Sequence, residues 1–467
     1  MGNVYMLFWF DVEDCTVPQS DDAAGRLASI LTRHGVRGTF KVVGQKARVL
    51  EQRVRYKVID ALQEHDIGFH ANWHGLRPQI AEYLAPLDWE DGVAEFERRE
   101  EPGLLDVRRL FGVNPVTYGQ PGSNWAPHVF PALRKWGIPT YVSGFGYIGV
   151  DCQPFWLGGV LCTSHMSGKR LAGQPQRHHM GMNFELGSPG ELTKHKETFS
   201  RSLEQLSTSG GVVSIINHPC TLVLEEWWST YVKPRELTEA GYRHFEEFVE
   251  WALGMKGVRT TCASELVALY PDLAVGRCFS QDDLATIAGE LGGGISFIRL
   301  GTLSVSAAEA FGLLVNSLNA CLTTGKLPEG VSCTAVYNPT ERATPLMDKR
   351  TVPWDEFATA TRDVAAAIAR NNSVPNHIPV AGASVSPAEY LGAVARTVQR
   401  LIGGNGPESD ITIQPEECRF EDYVDDSAAA QSCKSGMMLE GFTAPRLLEF
   451  AKLLAWTVKP AILRDGS

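Results

Sequence analysis

The chain has 467 residues, a formal net charge of −11, 44% hydrophobic residues and 21% charged residues. That is the make-up of an ordinary globular chain, long enough for more than one domain. No basic run or basic-aromatic stripe offers a surface to nucleic acid or to an anionic membrane, and no apolar stretch is long enough to span a bilayer. The apolar N-terminus lacks a basic segment and is cut short by Asp11, Glu13 and Asp14, so it reads as a strand and not as a signal peptide. The ten cysteines show no Cys-x2-Cys spacing. They read as reduced thiols, which points to the cytoplasm.

From residue 4 to about 270, strand and helix patterns alternate. Val4–Phe10 is an apolar strand, and Asp21 to Leu31 an amphipathic helix with acids in its first turn. Gly38–Gly44 is a second strand, Tyr56–Glu64 a helix and Asp66–Phe69 a third strand. A long charged helix runs from Trp89 to Phe111, with a break expected near Pro102-Gly103. Strand Pro115–Tyr118, helix Ala126–Trp136 and strand Thr140–Ser143 follow. Gly144 to Gly190 reads as strand fragments and loops over the top of the fold. Glu191–Ser207 is a helix, Val212–Asn217 a strand, Glu236–Met255 a helix and Val258–Thr261 a last strand. Repeated βα units imply an α/β chain with a parallel sheet, and this many of them favour closure into a barrel.

The candidate site residues fall at the C-terminal ends of these strands, where the loops of a barrel converge. The first strand ends in Asp11-Val-Glu13-Asp14 and the third in His70-Ala-Asn-Trp-His74. Two imidazoles four apart share one face of a helical turn and can bind one metal ion, with a carboxylate from elsewhere. The bland alternative is a chance His-x3-His beside acids that cap the next helix, and Asp14 is read as such a cap. Gly119-Gln-Pro121-Gly122 follows the fourth strand, and Ile215-Ile-Asn217-His218-Pro219 ends a later one.

In this order the four motifs resemble those of the polysaccharide deacetylase family, also called the NodB-homology domain or carbohydrate esterase family 4, over residues 4–270. The resemblance implies a distorted parallel (β/α) barrel of NodB type that hydrolyses N-acetyl or O-acetyl groups with one divalent metal ion, usually zinc. By the same resemblance Asp11 is the general base, Glu13, His70 and His74 are the metal ligands, and His218 is the general acid. The N–H of Gly122, after Pro121, is the implied oxyanion donor. Tyr118, Pro121, Gly122, Trp125 and Asn72 are the candidate substrate contacts. Trp125 and Trp73 could stack on a sugar face or belong to the core. The chemistry is coherent: a metal acidifies bound water, and a base and an acid on opposite sides of the carbonyl move two protons.

Some positions depart from the family pattern. Ala71 stands where Ser or Thr is usual, and Gly119 where an arginine pairs with the base. Tyr118 or Gln120 could orient Asp11, but neither carries the charge. His218 followed by Pro219 is a pattern of outlying branches that include allantoinase-like members. Arg177-His178-His179 could touch an anionic substrate, hold a second metal or form a solvated loop, and His165 reads as structural.

After about residue 272 the pattern changes. Val305-Ser306-Ala-Ala-Glu309 and Val385-Ser386-Pro-Ala-Glu389 each open a helix with a Ser-x-x-Glu capping box. Further helices open at Val352-Pro-Trp354 and near Phe442. Units of about 30–50 residues imply a smaller, mostly helical repeat domain over 273–467, after a barrel over 1–272. Lys326-Leu-Pro-Glu-Gly-Val resembles the repeats of pseudomurein-binding domains; packing, homo-oligomer formation and glycan binding are its open roles. The leading expectation is a metal-dependent hydrolase that removes an acetyl group from an N-acetylated amino sugar or glycoconjugate. Its alternatives are hydrolysis of another C–N bond, as in allantoinase-like members, and an inactive carbohydrate-binding protein.

Overall fold

The computed structural model describes residues 2–122, 124–143, 147–151, 153–163, 178–426 and 440–464. The main sheet is built outward from Val4–Val12 (β1), which is buried along its whole length. β1 pairs in parallel with Thr39–Val42 (β2), Gly211–Asn217 (β9) and, near its start, Val258–Thr261 (β10). Beyond β2 lie Asp66–Phe69 (β3), Thr117–Tyr118 (β4) and Thr140–Tyr141 (β5), all parallel. Val160–Cys162 (β7) continues from β5, and Phe155–Leu157 (β6) returns antiparallel to it. On the far side, His179–Gly181 (β8) pairs with β9. The sheet curls, and among the described residues its two ends do not pair. The α/β class and the parallel order therefore hold, in the form of a half-barrel with helices around it.

Side-chain alternation along β1 explains both its burial and its chemistry. Tyr5, Leu7 and Trp9 pack inside the curl with Val142, Leu161 and Val212, with Ala263 and Leu266 of the helix Ala263–Leu269, and with its C-cap residue Tyr270. Val4, Met6, Phe8 and Phe10 belong to the outer core, against the helices. A period of two carries the inner row on into Asp11 and Glu13, at the end where the strands open into loops.

The sheet uses residues from both sides of position 272. Lys459–Pro460 pairs antiparallel with β6, and Ala461 joins the inner cluster. Lys459 is buried, with its ammonium 2.6 Å from Glu309 and 2.7 Å from Asp272. A buried charge without such partners would be strongly destabilising.

Residues 278–413 form a tandem repeat whose unit adds short strands to the helices expected above. The strand Cys278–Ser280, helix Gln281–Leu291, hairpin Ile298–Leu300/Leu303–Val305, helix Ala307–Thr324 and strand Gly330–Ser332 make one unit. Arg350–Pro353, Trp354–Asn371, Ile378–Val380/Ala383–Val385, Pro387–Ile402 and Asp410–Ile413 make the second. Both Ser-x-x-Glu capping boxes form, at Ser306–Glu309 and Ser386–Glu389. The first helix of each unit packs on the second helix of the other, so neither unit buries its apolar face alone. The hairpins escape a periodicity reading because each strand is only three residues long. No helix among the described residues is long and apolar enough to cross a membrane.

Candidate metal centre and its surroundings

The ends of β1, β3 and β9 bring Asp11, Glu13, His70, His74 and His218 together. Glu13 Oε2 lies 3.2 Å from His70 Nε2 and 3.0 Å from His74 Nε2. Glu13, His70 and His74 form one group able to hold a metal ion, and Asp11, Glu13 and His218 form a second that shares Glu13. His70 Nδ1 lies 2.6 Å from the Gly119 carbonyl oxygen, a bond that only an N–H can make. In the neutral ring Nε2 is then a bare lone pair, yet it faces a carboxylate oxygen. Two facing lone pairs repel unless a proton or a cation lies between them. Burial pushes the His70 pKa down, which disfavours the extra proton. One carboxylate and two imidazole nitrogens, one ring fixed by a backbone carbonyl, suit a divalent metal ion.

The loop between the two histidines is not the helical turn that their spacing suggests. Ala71 is buried at φ +68°, and the two rings approach with centroids 5.6 Å apart. The loop is fastened from the long helix beside it. Glu100 accepts the Asn72 N–H at 2.6 Å, and the Asn72 amide donates to the Arg99 carbonyl at 2.8 Å. Arg48 donates to Asn72 Oδ1 at 3.1 Å. The helix Trp89–Phe111 runs unbroken through Pro102. Its Gly103 marks a close approach and no break, since a Cβ there would stand 2.5 Å from Asn72 Cα. Asn72, a candidate substrate contact, thus has its side-chain amide engaged inside the protein.

Glu100 gives this anchor a pH dependence. Burial pushes its carboxyl up to about 7, with the Asn72 N–H and the Tyr83 hydroxyl offsetting only part of that. A carboxyl raised above its unfolded value holds its proton in the folded state while the unfolded chain ionises. Its contribution is present at low pH and is lost between about pH 4.5 and 7, by about 3 kcal/mol. Urea denaturation at pH 5 and pH 8 should therefore show Glu100→Gln gaining on wild type by about that amount at the higher pH. An unchanged difference at the two pH values would contradict this.

Asp11 finds its countercharge on β2, in Lys41. The two are register partners across β1 and β2, and Lys41 Nζ lies 2.9 Å from Asp11 Oδ1. The lysine is buried and also lies 4.2 Å from the centre of the Trp9 ring. Two glycines make its slot. A Cβ on Gly68 would lie 2.7 Å from Lys41 Cγ, and one on Gly119 would overlap Lys41 Nζ. The ammonium therefore fills the space that a side chain at position 119 would need. Tyr118 and Gln120 do not take this part: Tyr118 lies in the aromatic core, and Gln120 bonds Tyr141, Ser143 and the Gly122 carbonyl. Burial alone would raise the Asp11 carboxyl, but His70, Lys41 and His218 outweigh it and hold it below its ordinary value.

His218 is held by Asn183. The His218 backbone N–H donates to Asn183 Oδ1 at 3.1 Å, and the same oxygen lies 3.0 Å from ring Nδ1. An oxygen that accepts the backbone N–H leaves Nδ1 as the ring atom with the hydrogen. Nε2 is then the basic nitrogen, 3.5 Å from Asp11 Oδ2.

The remaining sequence candidates scatter. Pro121 is buried and Gly122 partly so, at φ +49°. Trp125 is buried, edge-on to Phe130 and Tyr147, while Trp73 is exposed beneath the Arg48 guanidinium. The Asp14 carboxylate accepts from the Thr16 N–H and hydroxyl in the turn before the helix Pro18–Arg33, but the N-cap there is Val17, with no side-chain cap bond, so Asp14 is not the helix cap expected above. His178 is buried and His179 stacks on Trp9; Arg177 and His165 lie outside the described residues. Lys41, Asn183, Glu100 and the pair Trp227-Trp228 also meet at or brace the site, and none of them belongs to a motif in the sequence. The Trp228 ring lies 4.8 Å from that of His74 and the Trp227 ring 4.8 Å from that of His218. A lysine inside an otherwise apolar strand was the one signal available for Lys41.

No family model matches this chain, and no curated protein matches it either. Solved structures do. A 4-alpha-glucanotransferase from Thermococcus litoralis is 14% identical, with a TM-score of 0.40 over 58% of this chain and 41% of that one. This chain thus spans less than half of that enzyme's length. A protein named as a polysaccharide deacetylase from Mycobacterium smegmatis is 18% identical, with a TM-score of 0.38 over 57% of this chain and 90% of that one. An allantoinase is 14% identical, with a TM-score of 0.37 over 57% and 91%. Several polysaccharide deacetylases are among the similar structures.

Proposed function

We propose that this chain is a metal-dependent amide hydrolase that removes an acetyl group from an N-acetylated amino sugar or glycoconjugate. The observation that carries the proposal is the convergence of Glu13, His70 and His74 on one point, with Asp11 and His218 beside it. A divalent cation of the zinc type, held by those three side chains, would supply a polarised acyl carbonyl and an acidified water. The sugar and the acetyl group come from the motif resemblance set out above.

The chain's own residues divide the proton work. Asp11, kept ionised by Lys41 at 2.9 Å, takes the proton from the attacking water. His218 presents Nε2 because Asn183 holds Nδ1, and that nitrogen delivers a proton to the departing amine. Asn183 is neutral, so the carboxylate that stabilises the charged imidazole is Asp11, 3.5 Å from Nε2. Gly122 N–H is the proposed donor to the developing oxyanion.

An acetate-release assay over N-acetylglucosamine, its oligomers and nucleotide-linked forms tests this, with zinc-loaded wild type and Asp11→Asn side by side. Wild type should release acetate, and the variant should lose ~10²–10⁴-fold in turnover, the range of a positioned proton-transfer group. Acetate release that survives in Asp11→Asn would remove Asp11 from the base role.

A further inference from the structure

The stretch Leu224-Glu-Glu-Trp-Trp-Ser-Thr-Tyr-Val232 forms a lip at the metal centre that the mechanism above does not use. A β-bridge between Leu224 and Val232 closes the lip at its base, and the Glu225 N–H donates to the Tyr231 carbonyl at 3.3 Å. Ser229 braces it, its hydroxyl accepting the Tyr231 N–H at 2.9 Å and its carbonyl the Thr16 hydroxyl at 3.4 Å. Lys233 fastens the following residue by donating to the Phe184 and Thr221 carbonyls. This is a fixed display. Its tip holds two acids and two tryptophans in a row, all exposed.

Indole rings usually lie inside a protein. Here Trp227 and Trp228 are 41% and 43% exposed, and they do not stand at random. Trp228 faces the ring of His74 and Trp227 meets the ring of His218 edge-on, with the two indoles 6.4 Å apart. Trp228 also has φ +62°, a left-handed conformation that is strained for a bulky side chain and typical of functional sites. The indoles thus line the approach to the proposed acid, His218, and to one proposed ligand, His74, beside where a bound acyl group and its leaving group would lie. Indole faces attract the C–H-rich face of a sugar ring or a cation. The neighbouring carboxylates of Glu225 and Glu226 favour cationic or neutral hydroxyl-bearing rings and repel anionic ones.

We propose that this lip selects the substrate: Trp227 and Trp228 stack on a sugar ring flanking the scissile group, and Glu225 and Glu226 exclude anionic glycans. This rests on the hydrolase reading only for the location of the scissile group; ring binding itself needs no turnover. The expected ligands are therefore neutral or amine-bearing amino-sugar oligomers, and not uronate-containing polymers.

Calorimetric titration of the full chain with penta-N-acetylchitopentaose, its fully deacetylated counterpart and a hyaluronan hexasaccharide tests this. Wild type should bind the first two at least ten-fold more tightly than the third. Trp227→Ala and Trp228→Gly should each weaken that binding at least ten-fold. Trp228→Gly keeps the left-handed backbone without strain, so weakened binding there does not come from a strained fold. Glu225→Gln with Glu226→Gln should narrow the gap to hyaluronan. Binding of none of the three, equal binding of hyaluronan, or unchanged affinity in both folded tryptophan variants would overturn the proposal. Zinc content and acetate release measured on the same preparations separate the two readings. Ring binding without metal would leave the lip and remove the hydrolase; acetate release with indifferent tryptophans would do the reverse.

Discussion

Lys41→Met should cost the protein about 3–5 kcal/mol of stability and ~10²–10³-fold in turnover, although Lys41 is neither a proposed ligand nor a proposed proton carrier. The methionine fits the slot left by Gly68 and Gly119, so packing is nearly conserved. What changes is charge. Asp11 is 5% exposed, and its Oδ1 has the Lys41 ammonium at 2.9 Å. With that ammonium gone, an ionised Asp11 is a buried anion with one countercharge fewer. The carboxylate then either destabilises the fold or takes up a proton, and a protonated Asp11 cannot act as a base. Denaturation by urea and acetate release read the two effects separately. The double variant Lys41→Met with Asp11→Asn should recover most of the lost stability, because both members of the pair are then neutral, and none of the turnover. A Lys41→Met protein with wild-type stability would contradict the pairing.

The parts of the fold with strong local periodicity were legible in the sequence. β1 shows an apolar run that ends in acids, and alternation alone puts Asp11 and Glu13 on the inner face with Tyr5, Leu7 and Trp9. β3 and β10 fall where the pattern puts them, and both Ser-x-x-Glu boxes form the helix starts they announce. Features that depend on pairing between strands were not legible. Lys41 in Thr-Phe-Lys-Val is a lone charge in a short strand, and only the β1–β2 register sets it beside Asp11. Gly119 reads as a lost arginine until its space is seen to hold Lys41 of β2, two strands away from β4. The His70–His74 loop escaped because Ala71 takes a left-handed conformation and Glu100, far away in sequence, holds the chain there. Trp227 and Trp228 lie in a polar lobe with no periodicity, so only their proximity to His218 and His74 gives them meaning.

Metal content bears most directly on the whole account, because the proposed chemistry depends on a cation at Glu13, His70 and His74. The His74 side chain is buried, 5% exposed, but it sits in the loop after β3 and outside the apolar core, so His74→Ala should leave the core and its cooperative melt intact. It should nevertheless abolish metal retention, since a carboxylate and a single imidazole hold a divalent ion far more weakly than the full set. Elemental analysis of purified, zinc-equilibrated and desalted protein gives the answer. Close to one zinc per chain is expected in wild type and almost none in a folded His74→Ala variant; a wild type without metal, or a variant loaded as fully as wild type, would contradict a metal site at these three residues.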